Sequence, residues 1–551
     1  MNKKYTLLAL IVVVAAVLRL WKLDEVPVSL FGDELDVGYH AYSLGLTGSD
    51  YSGNFLPLQL RSIAEWRTPL YIYSAIPTVL LFGINAWGVR LPAALFGILG
   101  VIAIYFLAKK ISGQEKIGLF AAFILAISPW HIQYSRAGFE VTQMLFFMIM
   151  GLYVFLSSIK HKGKWLWLSV LCFMLMPWIY NTGKLFVPLL LAMLAAIYRK
   201  ELLSLPRKSL VLSMAVGVVL GIPLVLNIIA GEGSQRFGYL SAFDSQEAET
   251  HVGAIRGLDA SFEERVFHNK YTFWGNRVMD NYFTSFSSDF LFNSGDPNPR
   301  HSIDGMGVLY RPEAVPLLIG IAVFFGSRVS RKVKLLIAGI VLGGALPAAI
   351  TRDGGTHATR LIIMLPAFTL LIAYGLSRLS RPLLALYIIL ITICFFFFQH
   401  NYWNENTRNS ESWWHAGWGE AIQSIKAVDQ EYDRVFISMK GEPAYIFFAA
   451  HYAYDPAQWQ LIDPVNNKID VKDVGEVSYI DKYYFADLGG SLYDWGNSMT
   501  PKDLYLVPAS VVHVNVYAEP ERLPSNLKLV DSIPYPSENP AFYIFTGVDE
   551  E

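Results

Sequence analysis

The stretch YTLLALIVVVAAVLRLWKLDEVPVSLFGDELD, residues 5–36, decides how the rest of the chain is read. Its first half, as far as Trp21, is apolar and long enough for a membrane span. Its end, Leu30-Phe31-Gly32-Asp33-Glu34-Leu35-Asp36, holds three carboxylates in four residues. Acids just beyond a span are costly unless they face water, a partner or a substrate. Taken alone, the run reads as the first turn of a helix starting near residue 34, where acids complement the helix dipole. Arg19-Leu20-Trp21 reads as an interfacial anchor, so the segment is expected to be a retained first span rather than a cleaved signal peptide.

The composition agrees with a membrane protein. Of 551 residues, 53% are hydrophobic and only 16% are charged, against about 25% charged in soluble domains. Mean hydropathy is +0.36. The net charge of −2 gives no case for a nucleic-acid partner. The two cysteines, Cys172 and Cys394, lie in apolar runs, which excludes a disulfide framework and a cysteine-based zinc site.

Outward from the first span, apolar runs predict eleven spans, near 5–21, 91–108, 116–128, 141–158, 165–180, 185–198, 210–229, 313–327, 333–350, 361–377 and 382–398. A looser count gives 12 or 13. The loops then alternate in charge. Lys3/Lys4, Lys109/Lys110/Lys116, Lys160/Lys162/Lys164, Arg199/Lys200/Arg207/Lys208, Arg328/Arg331/Lys332/Lys334 and Arg378/Arg381 form a basic, cytoplasmic set. The other set is extracytoplasmic: a first outer loop of about 22–90, Ser128–Glu140, Tyr180–Lys184, a long outer loop of about 230–312, Thr351–Arg360 and everything after His400. Pro69–Gly83 is apolar too, but a full crossing there would invert every later loop. It is expected to be a re-entrant or interfacial helix of the first outer loop, or to be paired with an uncounted crossing. The expected domains are therefore a membrane domain over 1–400 and a small extracytoplasmic α/β domain over 401–551. In the latter, 419–428 has helical spacing, 442–454 reads as a helix, Arg434–Ser438 and Leu504–Val507 read as strands, and Leu527–Val548 alternates like a hairpin.

Four outer cations break the charge rule: Arg136, Lys184, Arg352 and Arg360. Facing one outer cavity, they are expected to neutralise a lipid-linked phosphate. The long loop is rich in aromatics and ends in a polar, turn-rich run from Ser288 to His301. Ring faces with Asp289, Asp296, Arg300 and His301, and His357 beside Arg360, suit a sugar or its acceptor.

Several ordered pieces together resemble a known family. They are Asp33-Glu34 after the first span, Gly48 to Pro57, Thr68-Pro69-Leu70-Tyr71, Leu81-Phe82-Gly83 with Arg90-Leu91-Pro92, Ser128-Pro129-Trp130-His131 with Ser135-Arg136, Phe290 to His301, and His357-Ala358-Thr359-Arg360 with Pro366. The chain resembles the polyprenyl-phosphate-sugar-dependent glycosyltransferases of the GT-C fold, within them the group of protein O-mannosyltransferases and lipid A aminoarabinose transferases. The resemblance covers about residues 5–380. It implies a multi-pass protein of the plasma membrane with its catalytic cavity on the outer face. It also implies a polyprenyl-phosphate sugar as donor, a protein, lipid or glycan as acceptor, and Asp33 as the acid that activates the acceptor. Arg67 stands where some relatives carry a lysine, and is an expected phosphate ligand. Glu34 would orient the acceptor or hold Asp33, and Asp36 is left to solvation. No cofactor is required by the sequence; a divalent metal at His40 and Glu65 is a further candidate.

The expected chemistry is attack of an acceptor hydroxyl or amine on the sugar C1, with Asp33 taking the proton and inversion at C1. Partial burial would strengthen Asp33 as a base. The alternative is a lipid or glycan transporter or flippase without transferase activity. That reading expects internal repeats and ionisable residues at mid-span, which this sequence does not offer.

Overall fold

The computed structural model describes residues 3–62, 66–231, 238, 240–256, 261–471 and 474–548. A helix stands at each of the eleven expected positions: α1 (Lys3–Leu20), α4 (Ala86–Ser112), α5 (Glu115–Ile127), α7 (Val141–Lys160), α8 (Leu166–Ile179), α9 (Thr182–Ile197), α10 (Arg207–Ile229), α11 (Ala314–Gly326), α12 (Arg331–Gly344), α13 (Leu365–Leu376) and α14 (Arg381–His400). Between them lie α2 (Gly32–Thr47), α3 (Pro69–Phe82) and α6 (Pro129–Arg136).

Among the described residues, six helical segments are both long and apolar enough to cross a membrane: α4, α7, α10, Arg331–Ala349, Ala358–Leu376 and Arg381–Asn409. The pair α5 and α6, bent by 56°, is a seventh if it counts as one span. This is fewer than the eleven expected crossings. The reason is length: α8 has 14 residues and α11 has 13, about 20 Å at 1.5 Å per residue against roughly 30 Å of hydrocarbon.

The chain divides into two compact units. Unit 1 comprises residues 1–21 and 92–402. Its centre is α13, apolar all round and buried over every residue. Close to it runs α11, where glycines permit the approach. A Cβ at Gly320 would lie 1.8 Å from the Leu371 carbonyl oxygen, and one at Gly375 would lie 1.9 Å from that of Pro316.

Within unit 1 the two loop sets gather separately. Ser112, Lys160, Tyr198, Arg328 and Arg378, from five of the six basic segments, line one cavity. The other set is joined by hydrogen bonds. Gln133 Nε2 donates to the Arg300 carbonyl at 2.7 Å, Trp130 Nε1 to that of Ala358 at 3.2 Å, and Asn281 Nδ2 to that of Thr351 at 2.7 Å. Helix α7 runs from one set to the other.

Unit 2 combines residues 22–91 with 403–551, so the expected first outer loop is grouped with the C-terminal residues. A seven-stranded mixed sheet forms its C-terminal part. The strands are β3 (Arg434–Ile437), β4 (Lys468–Val471), β5 (Gly475–Ile480), β6 (Tyr483–Phe485), β7 (Asp503–Pro508), β8 (Leu527–Pro534) and β9 (Pro540–Gly547), in the order β4-β5-β6-β3-β7-β9-β8. Strand β3 is parallel to β6 and β7, and the remaining pairings are antiparallel. The expected strands, the 527–548 hairpin and both helices, α15 (Trp418–Val428) and α16 (Ala444–Tyr452), are present. Helix α2 packs on α3, on α16 and on α17 (Pro456–Ile462), all within unit 2.

Candidate active site

Helix α2 starts at Gly32 and carries Asp33 and Glu34 in its first turn. One residue of helix is about 100° of rotation, and three residues bring side chains back to one face. Asp33 and Asp36 therefore share a face, and Glu34 turns away from it. The environments follow from that spacing. The Glu34 side chain is fully buried. Its Oε1 accepts Arg90 Nε at 2.7 Å, and its Oε2 accepts Arg90 Nη2 at 2.9 Å and the Phe31 N–H at 3.4 Å. Arg90 is equally buried. Its Nη1 donates to the carbonyls of Leu23 and Pro27, at 3.3 and 2.8 Å, its Nη2 to that of Ser29, and its guanidinium lies 5.7 Å from the Trp414 ring centre. Glu34 is thus an anchor of the helix start and not an acid in contact with solvent.

Asp33 is different. Its side chain is 55% exposed, so the expected partial burial is not found. Arg67 Nη2 donates to its Oδ1 at 2.6 Å. Arg67 sits on a two-residue strand, β2 (Trp66–Arg67), paired with β1 (Leu60–Arg61). The same guanidinium pairs through Nε with Asp36. Asp36 was assigned only to solvation; instead it is buried, and its Oδ1 accepts Tyr51 O–H at 2.7 Å and Ser62 O–H at 3.1 Å. Arg67, expected on a phosphate, is held between two carboxylates.

His40 is sealed in, stacked 3.9 Å from Tyr51, with neither ring nitrogen hydrogen-bonded. Burial pushes its pKa down, against the pull of Asp36 and Asp50. Glu65, its expected partner in a metal site, lies outside the described residues.

In unit 1 the residues expected to bind sugar or acceptor divide. Asp296, His301 and His357 come together. Asp296 Oδ1 accepts the Asn298 N–H, and Oδ2 the Ala358 N–H, both at 2.9 Å. His301 Nδ1 lies 3.0 Å from Oδ2, and its ring centre 4.8 Å from that of His357. Burial raises the Asp296 carboxyl, but the His301 hydrogen bond and charge and the Asn298 N–H outweigh it, and the group titrates below the ordinary carboxylate value. Each of the three residues offers a donor atom within 4.8 Å of the others. Two imidazoles and a carboxylate are a donor set that could also hold a divalent ion. Asp289 is exposed and accepts Ser294 O–H at 2.9 Å. The Arg300 side chain is half-buried.

The outer cations also divide. Arg136 is fully buried, with Nη1 donating to the carbonyls of Leu18 at 3.1 Å and Trp21 at 2.8 Å. It closes the C-terminal end of α1, a structural task that removes it from the phosphate ligands. Arg352 pairs with Asp244 and lies 3.6 Å from Glu247. Arg360 Nη1 donates to Thr351 Oγ1 and to Asp353 Oδ1, each at 2.7 Å. Lys184 is half-buried.

Arg90 and Asp36 were missed as site residues. The readable signal for Arg90 was a lone cation opening an otherwise apolar helix.

Residues 67–226 match the family model described as dolichyl-phosphate-mannose-protein mannosyltransferase. The putative mannosyltransferase YkcB of Bacillus subtilis is 31% identical over 91 residues, 16% of this chain and 12% of that protein. The dolichyl-phosphooligosaccharide-protein glycotransferase 2 of Pyrococcus horikoshii is 28% identical over 226 residues, 37% of this chain and 28% of that protein. The chain therefore spans less than a third of the length of either relative. Among solved structures, ArnT from Cupriavidus metallidurans bound to undecaprenyl phosphate superposes with TM-score 0.53 at 12% identity, covering 98% of this chain and 97% of that one. Over nearly its whole length the chain shares the GT-C fold of ArnT, and its residues 67–226 match the dolichyl-phosphate-mannose-protein mannosyltransferase family.

Proposed function

We propose that the chain is a membrane glycosyltransferase that moves a sugar from a polyprenyl-phosphate donor to an acceptor on the outer face of the membrane. The observation that carries this reading is Asp33: an exposed carboxylate on the first turn of a helix, oriented by Arg67 Nη2 at 2.6 Å. The fold likeness and the family match favour transfer over transport. Asp33 accepts the proton of an acceptor hydroxyl or amine as that atom attacks the sugar C1. The bond from C1 to the phosphate oxygen breaks, its electron pair leaves with the lipid phosphate, and C1 inverts. Arg67 fixes the direction of the carboxylate, and Glu34 with Arg90 holds the turn that bears it. Lys184, Arg352 and Arg360 remain the candidate ligands of the leaving phosphate, and Asp296, His301 and His357 those of the sugar or acceptor, with Asp289 and Arg300 nearby in sequence.

Mass spectrometry of the glycans lost on deleting the protein identifies the acceptor, and complementation with Asp33→Asn tests the base. The variant is expected to reach wild-type levels in the membrane while transfer falls by about 10²- to 10⁴-fold. Undiminished transfer would overturn the assignment.

A further inference from the structure

Where the basic segments of unit 1 gather lies a cavity of about 750 Å³. Lys110, Lys160, Arg328 and Arg378 line it, and no carboxylate does. Each cation comes from a different loop, and none of the four forms an ion pair among the described residues. Four like charges around one concave space repel one another unless an anion joins them. Charge alone has a simpler reading, because cytoplasmic loops are basic for topological reasons.

Two further observations point to a ligand. The Tyr198 hydroxyl is buried and has no hydrogen-bond partner. Tyr374, also on the wall, has the Ser112 hydroxyl as its neighbour, so Tyr198 is the orphaned group. Buried hydroxyls left without partners are costly, and an acceptor oxygen in the cavity relieves that cost. The second observation is an aliphatic part of the wall, Ile111, Ile117, Leu156, Ile159, Val329 and Val333, which stands beside a part made of serines, glycines and Gln114. A free anion gains nothing from such a surface, whereas an amphiphile places its charged head among the cations and its chains along the apolar side chains.

We propose that this cavity binds the phosphate headgroup of an anionic membrane phospholipid. The phosphodiester oxygens accept from Arg328, Arg378, Lys110 and Lys160 and from the Tyr198 hydroxyl, and the glycerol and first acyl carbons lie against the half-buried Ile111 and Ile159. The shared chemistry with a free phosphate is the phosphate itself, and the apolar wall decides for the lipid.

The test is native mass spectrometry of the full-length, detergent-purified chain with added phosphatidylglycerol or cardiolipin, with zwitterionic phosphatidylcholine, and with inorganic phosphate or pyrophosphate. One anionic lipid is expected to be retained per chain, and phosphatidylcholine is not. Arg328→Ala with Arg378→Ala removes two cations, each worth about 1 kcal/mol at a membrane surface, and is expected to weaken retention about thirtyfold. Tyr198→Phe weakens it by less. Arg207→Ala with Lys208→Ala removes the same charge outside the cavity and leaves retention unchanged. Equal retention in the Arg328/Arg378 double variant, equal loss in the Arg207/Lys208 control, or retention of phosphatidylcholine overturns the proposal. Displacement of the lipid by millimolar pyrophosphate would make the site one for a free anion and overturn the lipid assignment.

Discussion

Asp33 and Glu34 are neighbours in sequence and opposites in environment, and their variants should behave accordingly. Glu34 and Arg90 form a fully buried, two-point ion pair. Removing one partner of such a pair leaves a buried charge alone, at about 3–5 kcal/mol. Arg90→Ala is therefore expected to lower the melting temperature sharply or abolish accumulation, whereas Asp33→Asn should leave melting nearly unchanged. Arg67→Lys should fall between them. A lysine ammonium is a point charge without the guanidinium fork, so it does not hold Asp33 and Asp36 together. The expected result is a lower kcat with a smaller loss of stability, read from transfer assays and thermal unfolding of the same preparation. In α16, the His451 Nε2 is buried without a hydrogen bond, and burial pulls the imidazole pKa from 6.5 to about 4. The folded state prefers the neutral ring, so its stabilising effect is complete above pH 6.5 and is lost as pH falls towards 4. The full loss is about 3 kcal/mol, and His451→Gln should flatten that part of the stability–pH curve. Only part of this residue-level picture was readable in advance. Asp33 stood out through its acid neighbours and its family-like motif. Arg90 stood in a family-like piece without a readable role, and Asp36 did not stand out, because their partners lie far along the chain or across a short hairpin, and helical spacing alone does not say which face is covered.

At the scale of elements, the apolar windows marked the helix positions well, since continuous hydrophobicity is a strong signal. They marked crossings poorly, because hydropathy does not report where a helix stops. The alternation in 527–548 and the β-rich runs at 434–438 and 504–507 became β8, β9, β3 and β7. Strands β4, β5 and β6 were not anticipated, since Lys468–Val471 and Tyr483–Phe485 are too short to register and Gly475–Ile480 mixes glycine and charge with its apolar positions. The α11–α13 contact carries its own prediction. Carbonyl oxygens stand under 2 Å from any Cβ placed at Gly320 or Gly375, so Gly375→Ala must push the two helices apart. Lost helix packing of this kind costs about 1–3 kcal/mol. It should appear as lower thermal stability in detergent, while Gly326→Ala, whose Cβ would meet nothing within 4 Å, serves as the neutral control.

At the scale of the whole molecule, loop charge was the most informative feature of the sequence. Five of the six segments sorted only by their lysines and arginines line one cavity of unit 1, and the loops around 133, 300 and 358 are joined to one another by hydrogen bonds elsewhere in it. In a background without Cys172 and Cys394, a cysteine replacing exposed Lys162 and one replacing exposed Ser294 should therefore react with a membrane-impermeant maleimide from opposite faces. Reaction of both from one face would refute the topology. The grouping of residues 22–91 with 403–551 was not legible, because nothing in local composition tells a loop which distant partner will cover it. That grouping has a consequence in time. Helix α2 leaves the ribosome early, but its partners come last: Tyr39 O–H donates to the Tyr454 carbonyl, Gln460 Nε2 to Ser43 Oγ, and the Gly32 N–H to His415 Nδ1. Until translation has passed these residues, the helix bearing Asp33 has only its early partners, Arg67, Arg90 and α3, and one face is uncovered. A chain cut before residue 415 therefore lacks all three of these contacts, and helix α2 in it should be more open to protease than in the full chain.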